Sequence, residues 1–234
     1  MLKVMFRRPC GGCTAVVPQS WEGDRRVLSV RSRTLGPMGM YLVSASTLDL
    51  EDESCWPAVF TALAEELEEL GVEAEIRIPV HAAHPRGSRY QFEEKLIPAM
   101  DGFSALCAKE LAAGDAAVFD WDLLVPFDFE GVIELQVPNS YSDTTSVRSA
   151  QRLLPVARRV ADSLELPDDL PDDCDSLQLT TYFMDLDEGE DEAERPATVA
   201  GGRWREDPGT AFYAAMFLRA AEHSLGQSCP MFYS

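Results

Sequence analysis

The chain has 234 residues, 46% of them hydrophobic and 26% charged, with 20 Lys and Arg against 40 Asp and Glu and a formal net charge of -20. Such a length and composition build a packed core without disulfides or metal and exclude a disordered or collagen-like chain, while the negative field opposes the phosphates of nucleic acid. No apolar run reaches the about 18 residues that span a bilayer, and residues 1–8 lack the apolar core and cleavage site of a secretion signal, so no membrane contact and a cytoplasmic location with reduced thiols are expected.

The opening third reads as strands. Leu2, Val4 and Phe6 alternate with Lys3, Met5 and Arg7, and Leu28 and Val30 stand opposite Ser29, Arg31 and Arg33, which predicts a half-buried sheet with an arginine-rich outer face. The first 33 residues hold seven bases against two acids. Between these strands, Cys10-Gly11-Gly12-Cys13 has the spacing with which two thiolates share a tetrahedral zinc or exchange a disulfide. A redox cysteine opens a helix, whereas the residues after Cys13 read as a strand, so a tight Gly-Gly turn is the preferred reading. Residues 40–46 form a further strand candidate after the Gly36-Pro37 turn signal.

From Pro57 the period lengthens to about 3.6. Val59, Phe60, Leu63, Leu67 and Leu70 share one stripe, with Glu65, Glu66, Glu68 and Glu69 largely outside it; Pro57 suits the first turn of this helix and Gly71 its stop. Val72, Ala74, Ile76, Ile78 and Val80 then alternate with Glu73, Glu75 and Arg77 as a strand. His81 and His84 follow it and would complete a zinc site with Cys10 and Cys13 if the two loops met. Pro85, Gly87 and Ser88 favour an ordinary surface loop, and the expectation is a protein with neither metal nor cofactor.

Residues 90–113 have helical spacing, divided into two pieces by Pro98 and Gly102, with Cys107 on the apolar face. Residues 116–125 and 131–137 read as a hairpin across Pro126. There Asp120 and Asp122 share a face that Glu134 approaches, a set able to hold a hard cation; a solvent-facing row opposite Phe119, Trp121 and Leu123 is the preferred reading. One of Thr144, Thr145 and Ser146 is expected to cap a helix through Leu164, interrupted by Pro155. Arg148, Arg152 and Arg159 on it suggest an anion site, or, preferably, partners for the chain's own carboxylates.

Residues 162–194 contain fourteen Asp and Glu and no Lys or Arg. Pro167, Pro171 and paired aspartates predict a loop over 164–175; Leu177, Leu179, Thr181 and Phe183 predict a strand over 176–184; and 185–194 reads as a mobile charged loop. A last helix opens at Pro208 with Asp207 as N-cap and runs through Leu225, and the apolar tail, 229–234, is expected to dock.

The element order predicts a single α+β domain over 1–234, with a mixed or largely antiparallel sheet, helices packed mainly on one face, and a mobile acidic segment at 162–194. Phosphate loops, dinucleotide fingerprints, nucleophile elbows and paired-histidine zinc motifs are missing from the sequence. The expectation is a non-catalytic protein that binds a basic protein surface, such as an immunity-type inhibitor or an accessory subunit, with Asp185, Asp187, Glu188, Glu190, Asp191, Glu192 and Glu194 as contact residues. The likeness to inhibitors of basic toxins and mimics of phosphate is one of composition. The alternatives are a small enzyme with a carboxylate-metal or Cys/His zinc site, and acidity that serves solubility or a salty habitat.

Overall fold

A computed structural model describes residues 40–46, 55–74, 90–187 and 202–234. The strands expected in residues 1–33, the strand positions from Glu75 to Val80, and Cys10, Cys13, His81 and His84 lie outside the described residues. In chain order the elements are β1 (Tyr41–Ser44), α1 (Trp56–Glu69), β2 (Glu93–Lys95), α2 (Asp101–Glu110), α3 (Ala113–Ala116), β3 (Leu123–Val125), β4 (Ile133–Leu135), β5 (Thr145–Ser149), α4 (Ala150–Leu164), α5 (Gln178–Asp187), α6 (Pro208–Gln227) and β6 (Met231–Tyr233). The six strands form one open mixed sheet in the order β2-β1-β6-β3-β5-β4. Every neighbouring pair is antiparallel except β3 and β5.

Alternation along the strands divides the core into two layers. Leu42, Leu124, Met231 and Tyr233 point to the side carrying α2, α4, α5 and α6, whereas Val43, Leu123, Val125, Val147 and Phe232 point to the side covered by α1. The fold is therefore α+β with helices mainly on one face. The helix α1 follows from its stripe: Trp56, Val59, Phe60, Leu63 and Leu67 are buried, and the Trp56 ring lies 4.2 Å from that of Phe232. Its end is set by Gly71 at φ +69°, with Gly71 N–H donating to Glu68 O and Val72 N–H to Leu67 O, so the left-handed residue satisfies carbonyls the helix leaves open. Leu70, placed on the apolar stripe by spacing, is 56% exposed because it sits past the last helical turn.

Asp207 caps α6 as expected, accepting from Thr210 N–H at 3.0 Å. Alanines 211, 214, 215, 220 and 221 on α6 are buried, and these small side chains let α4 pack closely with Leu153, Val156, Ala157 and Val160. The tail does more than dock. As β6 it lies between β1 and β3, and Ser234 and Tyr41 exchange both backbone hydrogen bonds.

Four local expectations are corrected. Residues 116–125 and 131–137 do not pair: the first stretch is helical through Phe119, only Leu123–Val125 is strand, and β5 lies between β3 and β4. Both faces of β3 are covered by helices, so it takes distant partners in β6 and β5 rather than its sequence neighbour. The helix expected from residues 144–146 begins at Ala150; Thr145, Val147 and Ser149, all buried, serve β5. Phe92 and Leu96 flank β2 instead of lying on a helix, so only α2 and the one-turn α3 are helical there. Finally, residues 178–187 are helix α5, not strand. Leu179 and Phe183, both buried, are four apart and satisfy either period, and contacts from β2 decide between them. Among the described residues no helix is long and apolar enough to cross a membrane.

Candidate functional site

The carboxylates expected near β3 do not converge. Asp122 is 6% exposed and accepts from Ser146 N–H at 2.9 Å and from the Ser146 hydroxyl at 2.8 Å, tying β5 to the entrance of β3. Asp120 and Glu134 are exposed and act on Arg148, whose pKa burial lowers and these two charges raise. Among the described residues, no three His, Cys, Asp or Glu side chains are grouped to hold a metal. The arginines meet the chain's own carboxylates: Arg152 bonds Asp128 at 2.7 Å and Arg159 pairs with Asp115, while Arg148 donates to the backbone oxygen of Asp120. Arg148 belongs to β5 rather than to the helix of the other two.

Of the acidic span, residues 162–187 are described. They comprise the last turn of α4, a loop and α5, with Asp162, Glu165, Asp168, Asp169, Asp172 and Asp173 exposed and Asp175 buried. Asp185 and Asp187 fall in the last turn of α5; Glu188, Glu190, Asp191, Glu192 and Glu194 lie outside the described residues. Asp172 meets Arg219 at 2.8 Å. Among the described residues Asp162, Glu165, Asp168, Asp169 and Asp173 carry no ion pair.

A buried carboxylate, Glu94, and a part-buried guanidinium, Arg219, hold this loop to the sheet and to α6. Glu94, on β2, is fully buried and accepts from Leu179 N–H at 2.9 Å, Thr180 N–H at 2.8 Å and the Thr180 hydroxyl at 2.7 Å, which caps the first turn of α5. Burial raises its pKa, and the hydrogen bonds from Thr180 and Leu179 oppose that rise. Residues 174–177 run along the outer edge of β2, where Glu93 N–H donates to Cys174 O and Leu177 N–H to Glu93 O, covering an edge otherwise open to another strand. Arg219, on α6, donates to the backbone oxygens of Pro171 and Leu170 as well as pairing with Asp172 and Glu222.

Between this loop and α6 lies a cleft of about 280 Å³ whose lining includes Phe92, Asp172, Cys174, Arg219 and His223. A cysteine and a histidine in one cleft suggest nucleophilic chemistry, which needs a thiolate and an imidazole able to take its proton. The environment sets both groups the other way. Burial, then the charge of Glu94, push the Cys174 thiol above its ordinary range, and burial lowers the His223 imidazole to about 4. At neutral pH both are uncharged, so this pair lacks the thiolate that such attack requires. Compared with family models, curated proteins and solved structures, the chain matches none of them.

Glu94, Arg219 and His223 escape the motif search. Glu94 left a signal nonetheless: Phe92, Glu94 and Leu96 alternate as one strand face, and a lone carboxylate on an apolar face must be buried against donors. Arg219 had a weaker one, standing three residues before Glu222 on α6.

Proposed function

We propose that the chain is a non-catalytic binding protein, acting in the cytoplasm, that holds the basic surface of a protein partner through residues 162–194, in the manner of an immunity-type inhibitor or an accessory subunit. The observation that carries this reading is the set of five exposed carboxylates, Asp162, Glu165, Asp168, Asp169 and Asp173, that have no ion pair among the described residues. They belong to a span of fourteen acids without a base, which continues through Asp185 and Asp187 to Glu188, Glu190, Asp191, Glu192 and Glu194. Carboxylates already paired would have to be released before a partner's cations could replace them; these are ready, and their joint field speeds the approach of a cationic surface and repels polyanions. Nucleic acid is accordingly not the partner.

The test is a pull-down from the native cell with the full chain as bait, washed at low ionic strength and eluted with rising salt. A specific basic protein that leaves at a defined salt concentration is the expected result. Retention of nucleic acid instead, or of no protein at low salt, would sink the reading.

A further inference from the structure

We propose that the cleft between the acidic loop and α6 receives a cationic side chain, arginine or lysine, of the partner protein; the identity of the ligand as a partner's side chain rests on the function proposed above. The lining carries three carboxylates, Asp172, Asp173 and Glu222, and one guanidinium, Arg219. Arg219 is already committed. Its Nε donates to Pro171 O at 3.1 Å, its Nη2 lies 3.4 Å from Leu170 O and 2.8 Å from Asp172 Oδ1, and its Nη1 donates to Glu222 Oε2 at 3.0 Å. It therefore serves as part of the wall, and an anion entering beside it would meet the carboxylates before finding a free donor.

The acceptors that remain face the other way in charge. Asp173 is exposed and has no ion pair among the described residues, and the pairing of Asp172 with Arg219 uses its Oδ1. Glu222 is spent, since Oε1 takes Arg158 and Oε2 takes Arg219. His223 packs against Phe92, 5.6 Å between ring centroids, and its depressed pKa of about 4 leaves it without charge in neutral solution, so among the described residues the one cation of the α6 wall is Arg219, which Asp172 and Glu222 already pair. At about 280 Å³ the cleft has room for one side chain inserted from a larger surface. Asp172 and Asp173 belong at once to this cleft and to the acidic span, which makes the cleft the place where a diffuse electrostatic attraction acquires a fixed register.

The experiment titrates the full chain with the blocked tripeptide acetyl-Gly-Arg-Gly-amide and its lysine and citrulline counterparts, following the ring protons of His223 by NMR. The expected result is a saturable shift with the arginine or lysine peptide, none with citrulline, an affinity roughly threefold weaker in Asp173→Asn, as for one solvent-facing charge pair, and no shift in Gln227→Trp, which fills the cleft from the exposed last turn of α6. Absence of a saturable shift, an equal shift with citrulline, or a response unchanged in a folded Gln227→Trp chain overturns the proposal. The partner is separated from the cleft by the pull-down. Reduced capture by Gln227→Trp supports the proposal, and undiminished capture by that variant overturns it while the binding-protein reading stands. A wild-type chain that takes the arginine peptide but captures no protein removes that reading, and with it the partner as the source of the side chain.

Discussion

Glu94 on β2 holds the first turn of α5 by accepting both the backbone N–H of Thr180, at 2.8 Å, and its hydroxyl, at 2.7 Å. The same hydroxyl oxygen accepts from Lys95 N–H at 3.0 Å, so one threonine joins the edge strand to the helix twice. Glu94→Gln keeps the size of the side chain but turns one acceptor oxygen into a donor facing donors. We expect a loss of about 1–3 kcal/mol, the cost of leaving buried polar groups unpaired, read from the midpoint of urea unfolding. Thr180→Val should lose a similar amount, and the double variant less than the sum, because the two residues share their bonds. Full additivity would show that Glu94 does not act through Thr180.

His223 gives stability a pH dependence whose sign follows from its environment. Burial holds the folded imidazole at about 4, whereas the unfolded chain carries it near its ordinary value of 6.5. Between these values the unfolded state binds the extra proton, so the contribution is complete above pH 6.5 and is lost as pH falls towards 4. The loss amounts to about 3 kcal/mol if the whole shift is expressed. Stability measured from pH 7 to 4 should fall less steeply in His223→Phe than in the parent. Identical slopes for the two proteins would contradict the buried imidazole.

The thiols provide a chemical check on the core. Cys107, Cys174 and Cys229 are buried, and desolvation raises each pKa, that of Cys107 to about 12, so none forms an appreciable thiolate at pH 8. Peptide mapping after brief iodoacetamide treatment should find these three unmodified in the native chain and fully modified in urea. Native labelling of Cys174 would mean that the loop opens away from β2.

Sequence periodicity was sufficient where one element buries one stripe. The helix α1, with Pro57 and Gly71 at its ends, and α6, with Asp207 as its cap, both read directly from residue spacing. It failed where tertiary partners decide. Leu179 and Phe183 fit a strand or a helix equally well, and the donors of Leu179 and Thr180 become a helix turn because a carboxylate 85 and 86 residues away accepts them. The hairpin expected around Pro126 failed for a related reason: a strand covered on both faces gains more from β5 and β6 than from the nearest segment in sequence. The acidic span was visible as composition, but the cleft beside it needs Phe92, Asp173 and His223 from three distant stretches.

The acidic residues beyond the loop offer the sharpest separation of fold from binding. Asp185, Asp187, Glu188, Glu190, Asp191, Glu192 and Glu194 have no Lys or Arg among them in sequence, so their charges repel one another and oppose a compact chain, most strongly at low ionic strength. Replacing all seven with Ser and Asn should leave cooperative melting intact, with stability within about 0.5 kcal/mol of the parent in moderate salt and somewhat higher in low salt. Glu94, Arg219 and the two core layers are untouched by these changes. Capture of a basic partner should weaken and lose much of its salt dependence, because those carboxylates supply the long-range attraction, while the arginine-peptide response at His223 persists. A variant that no longer melts cooperatively would make the segment structural, its carboxylates answering arginines such as those of the first 33 residues. A variant that folds and captures the partner unchanged, at every salt concentration, would reduce the charge of 185–194 to a device for solubility.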